Sequence, residues 1–112
     1  MANAMSAVFD LKTLPVYPFE QREKNVFFSG AGFKTRIIAL PAGGVMPDCQ
    51  MHAAVIFHVV AGDVEVEVNG EPHQLEEGHC LVGGPGRFSM KTSGGVRLLG
   101  VQIQTEKSEP RP

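Results

Sequence analysis

The sequence predicts an all-β protein, a sandwich or barrel of short strands. Three observations carry that reading. In "DVEVEVNGE" (63–71), Val64, Val66 and Val68 alternate with Glu65 and Glu67, which is the period of a strand with one buried and one wet face. Thirteen Gly and eight Pro punctuate a chain of 112 residues, favouring many turns over long helices. No segment sustains a helical period over about twelve residues.

The length suits one domain that can bury a core without disulfides or a structural metal. Formal net charge is −2 with the signs mixed, so there is no basic footprint for nucleic acid. No apolar run approaches the roughly 18 residues that a membrane span requires. The opening "MANAMSAVF" lacks a basic n-region, and no export signal is recognised. A cytoplasmic protein is therefore expected, with Cys49 and Cys80 as reduced thiols rather than a disulfide.

Taken in order, residues 1–14 read as an N-terminal arm, with the opening "MANA" treated as added rather than native sequence. "LPVYPFE" (14–20) holds Pro15 and Pro18, which suit an extended edge segment. "NVFF" (25–28) and the β-branched "FKTRIIAL" (33–40) read as strands, bounded by the turns "SGAG" and "PAGG". "AAVIFHVV" (53–60) is apolar on both faces and suits a covered strand. Asn69-Gly70 supplies the positive φ angles of a tight hairpin turn after 63–68. "PHQLEEG" returns from that turn, "HCLVGGPGRF" (79–88) holds a glycine corner, and "VRLLGVQIQ" (96–104) is the last strand. The barrel is expected over 15–104 and a flexible tail over 105–112.

The stretch from about 33 to 104 resembles the cupin superfamily, whose members are double-stranded β-helix (jelly-roll) barrels. The first cupin motif, G-x5-H-x-H-x3,4-E-x6-G, counted back from Gly62, puts Val55 at the Glu position, Met51 and Cys49 at the two His positions and Gly43 at the leading Gly. In the second motif, G-x5-P-x-G-x2-H-x3-N, Gly78 opens, Gly84 replaces the Pro, Gly86 matches, and Ser89 and Ser93 take the His and Asn positions. The glycine skeleton agrees, whereas all four metal-ligand positions depart. The resemblance therefore implies the barrel but argues against its usual metal.

In that reading residues 49, 51, 53, 55, 57 and 59 share the inner face of one uninterrupted strand. Valine cannot donate, and a serine hydroxyl is a poor ligand for the ions that imidazole and carboxylate bind. Cys49 and Met51, completed by His52, would suit only a soft ion such as Cu(I). The alternative, adopted here, is that sulfur side chains fill an apolar interior. No cofactor is expected.

His58 falls on the outer face, His73 follows the hairpin turn and His79 sits in a turn; none is assigned to a site. "GGPGRF" (83–88) lacks the Lys-Ser/Thr pair of a phosphate loop and reads as a corner between strands.

The function expected is binding of a small, mostly apolar ligand inside the barrel, with a pocket of Cys49, Met51, Val55, Phe57 and Ser89. The alternatives are a cupin enzyme, with substituted metal ligands or metal-independent, and a regulatory or structural partner protein. The outer side of "AAVIFHVV" (Ala54, Ile56, His58, Val60) needs a cover, from a second copy or from the segment around Tyr17 and Phe19. A homodimer is expected, as the resemblance also implies.

Overall fold

In a computed structural model of the protein, which describes residues 6–104, the turn residues cut the chain into eight strands. These are β1 (Val26–Gly30), β2 (Phe33–Leu40), β3 (Val45–Met51), β4 (Ala54–Val68), β5 (Glu71–Glu76), β6 (Cys80–Gly83), β7 (Gly86–Lys91) and β8 (Val96–Ile103). All pairings are antiparallel. One sheet runs β1-β2-β8-β4-β6 and the other β5-β4-β7-β3, with β4 common to both. The result is a curled, partly open jelly roll around one core. No helix among the described residues is long and apolar enough to cross a membrane.

β4 joins the two runs that the sequence shows as separate strands. Its first half points Val55, Phe57 and Val59 inward, and its second half points Val64 and Val66 inward. That change from odd to even needs one extra residue. The pairing with β8 slips between Val59 and Ala61, and Gly62 follows at φ 86°. A Cβ on Gly62 would run into the Gly95 carbonyl, so only glycine fits. Thr92, itself buried, holds the same corner: its hydroxyl donates to the Asp63 carbonyl at 2.6 Å and accepts from the Gly95 N–H at 3.0 Å.

A second slip lies in β3. Met46 faces the core, the register shifts before Cys49, and Cys49 and Met51 then take the inner face. Pro47 sits in the shift, where its missing N–H removes no regular ladder bond. The expected unbroken strand through residues 49–59 is therefore corrected. The chain leaves β3 in one sheet at Met51, turns at His52-Ala53, and enters β4 in the other sheet. The two-residue break preserves the parity, which is why the odd residues still face inward on both sides of it.

The hairpin at Asn69-Gly70 forms as expected, with φ 51° and 87°. The segment 14–20 does not stay extended throughout: Phe19–Asn25 winds into a 3-10 helix after Pro18, a residue suited to precede a helical turn. The cover over the outer face of β4 differs too. Phe9 and Leu11 from the arm lie beside His58 and Val60, and the Arg97 guanidinium fastens that arm by donating to the Leu11 carbonyl at 2.6 Å and to that of Leu14. The expected tail over 105–112 lies outside the described residues.

Gly62→Ala adds a steric clash to the cost of a positive φ and is expected to lower stability by roughly 3 kcal/mol. Gly70→Ala has the same sign of φ but open space around it, so about 1 kcal/mol is expected. Urea unfolding midpoints at unchanged m-value measure both.

Candidate functional site

The inner faces of β2, β3, β4 and β8 do not fill the barrel at one end. A cavity of about 260 Å³ remains. Val55 and Phe57 from β4 form its floor, Met46, Cys49 and Met51 from β3 one wall, and Arg36, Ile38 and Leu40 from β2 the other. At the back β8 contributes Gly100, whose missing side chain leaves room for Phe57 and Arg36.

The segment from Val16 to Asn25 covers part of the mouth and leaves the rest open to solvent. Buried Asn25 clamps the segment: its side-chain oxygen accepts the Tyr17 N–H at 2.7 Å, and its amide donates to the Tyr17 carbonyl at 3.1 Å. Arg22 stacks over the Phe19 ring, 4.0 Å from its centroid, and donates to the Phe19 carbonyl at 2.9 Å. Tyr17 and Phe19 therefore line the cavity instead of covering the outer sheet face.

Cys49, Met51, Val55 and Phe57 all line this cavity. Ser89 does not. In β7 the buried residues are Phe88 and Met90, so Ser89 between them faces outward, opposite Glu67 on β4. The residue opposite Cys49 is Phe88, and its ring meets that of Phe57 edge to face at 5.8 Å. The alternation in "RFSMK" carries this signal. Counting the second motif placed Ser89 one position away from the inward residue. His52 also lies elsewhere, exposed in the break between β3 and β4 and apart from the cavity.

This donor set does not suit a cupin metal. The inward positions offer a thiol, a thioether, a valine and a phenylalanine, and the last two have no lone pair to give. Among the described residues no three His, Cys, Asp or Glu side chains converge. Cys49 and Cys80 are both free, the first half-buried inside and the second exposed opposite His58.

Sequence reasoning missed the polar side chains at the cavity, chiefly Arg36, with Gln50 and Gln102 on the rim. "FKTRIIAL" is too mixed for its inward face to be read from alternation. Only the β2–β8 register, which sets Arg36 opposite Gly100, shows it.

No protein-family model matches the chain, and no curated protein matches it significantly. Solved structures do. The chain is similar to the Cnp3 cupin domain of Schizosaccharomyces pombe, with TM-score 0.66 and 23% identity over 73% of this chain and 63% of that one. It is also similar to TT1209 from Thermus thermophilus, with TM-score 0.70 and 19% identity over 88% and 98% of the two chains. A third is the DMSP lyase DddQ from Ruegeria pomeroyi, with TM-score 0.61 and 20% identity over 73% and 43%.

Ser89→Ala is expected to change stability by no more than about 0.5 kcal/mol. Phe88→Ala, which empties the centre of the core, is expected to cost about 3–5 kcal/mol. Thermal unfolding of the two variants side by side checks the assignment of the inner face.

Proposed function

The fold is that of the cupins, and within it we propose that this protein is a binding module that holds a small, mostly apolar molecule inside the barrel without the usual cupin metal. The observation that carries this is the partly covered cavity, in which Ile38, Leu40, Met46, Met51, Val55 and Phe57 supply the apolar surface. Its volume falls just below the range of about 300–1,000 Å³ common for drug-sized ligands, so the fitting molecule is small. Cys49 is the polarisable contact on the wall. Ser89 has no part in the site.

Tyr17 is the only tyrosine in a chain without tryptophan, and it lies at the mouth, so its fluorescence reports occupancy. Titration with 1-octanol is expected to give a saturable change. Val55→Phe, which fills the floor, is expected to weaken binding more than about ten-fold, with a modest loss of stability. Cys49→Ser is expected to leave binding within a few-fold. No saturable response to 1-octanol or octanoate, or a stoichiometric transition metal in protein purified without an affinity tag, overturns the reading.

The proposed assembly is a homodimer and the proposed setting the cytoplasm, where two free thiols remain reduced. Support for the dimer is the outer face of the β2-β8-β4-β6 sheet beyond the arm. There Ile56, Val101 and Val82 stand in one row, with Val82 72% exposed. Light scattering is expected to give twice the chain mass, and Val82→Glu to shift it toward the monomer.

A further inference from the structure

Arg36 shares the inner face of β2 with Ile38 and Leu40, and it lines the cavity half-buried. A Cβ built on Gly100 would stand 3.5 Å from Arg36 Cγ, 3.4 Å from Phe57 Cε1 and 3.5 Å from Ile38 Cδ1. The stem of the arginine thus lies among apolar side chains, around the space left by the glycine. Among the described residues its charge finds no partner there. Among the described residues the arginine side-chain hydrogen bonds belong to Arg22 and Arg97, and the one ion pair joins Lys91 to Glu65. Glu23, the carboxylate among the cavity-lining residues, forms no ion pair with Arg36.

A guanidinium withdrawn part-way from water without a partner is costly, and an incoming anion removes that cost. We propose that the ligand is an amphipathic carboxylic acid, its carboxylate received by Arg36 and its apolar body resting on Met46, Met51, Val55 and Phe57. The claim rests on the apolar-cavity reading above and adds the polar end of the molecule. The planar fork of N–H donors on arginine matches the two oxygens of a carboxylate, and a hydrogen bond to a charged group is among the stronger ones available. The rim glutamines and the Tyr17 phenol provide further donors at the same mouth.

Octanoate and 1-octanol have the same apolar chain and differ at the end group, so titrating the full-length protein with each at neutral pH isolates the contribution of the carboxylate, and Arg36→Met then tests whether Arg36, rather than Arg22 at the same cavity, receives it. Octanoate is expected to bind roughly ten- to a hundred-fold more tightly than 1-octanol. The preference should shrink as salt is raised. Arg36→Met, which keeps the stem, is expected to erase the preference and leave the affinity for 1-octanol within a few-fold. Arg36→Lys is expected to retain part of it. Equal affinities of the unaltered protein for the two compounds overturn the carboxylate assignment and leave the apolar cavity standing. Binding of neither compound removes both readings. A preference that survives in Arg36→Met assigns the anion to another residue and overturns this one.

Discussion

The architecture depends on a single strand that changes faces. β4 serves one sheet with its first half and the other with its second. It can fill the core from both only because the inward set shifts from odd to even residues at Ala61-Gly62. Side-chain parity in a strand is rigid, so a slip of one position would turn Val64 and Val66 out to water and Glu65 and Glu67 into the core. The bend avoids this by pressing two backbones together, Gly62 against Gly95, at a separation that admits no side chain. The apolar floor of the cavity and the hydrophobic core are therefore set by the same corner.

The site follows from a mismatch in side-chain volume around that core. Where Phe57 meets Phe88, the interior is closed. Beside that contact the lining residues include Gly100, Cys49 and Val55, whose small side chains do not fill the space between the sheets, and the cavity remains. The polypeptide that partly covers it comes from before the first strand. It is held by buried Asn25 through both backbone polar groups of Tyr17, and by Phe19, which packs against the core. The arrangement gives a largely apolar interior with a few polar side chains among its lining residues.

Much of the fold was legible because the relevant signals are local. The alternation of Val64, Val66 and Val68, the Asn-Gly turn and the β-branched run of β2 each specify their own conformation. The glycine spacing then made the barrel recognisable. The site was only half legible. The inward direction of Cys49, Met51, Val55 and Phe57 follows from period two, and it survives the break at His52-Ala53. Ser89 was misplaced because a motif count ignores local parity, and Phe88 and Met90 show which residues of β7 face the core. Arg36 was invisible because its orientation depends on pairing with a strand more than sixty residues away. The 3-10 turn over Phe19–Asn25 was hidden because Pro15 and Pro18 suit an extended edge as well as the start of a helical turn.

The position of β8 has a bearing on how the chain is made. This strand lies between β2 and β4, and its register with both runs almost its whole length. Until it emerges from the ribosome, β2 and β4 have no common neighbour, and each presents an unpaired edge of exposed amide and carbonyl groups. The larger sheet is thus complete only once β8 lies between β2 and β4. Long-range closure of this kind is slow compared with hairpin formation. The β1–β2 and β4–β5 hairpins, each joined by a two-residue turn, are the local pairings able to organise before β8 is in place.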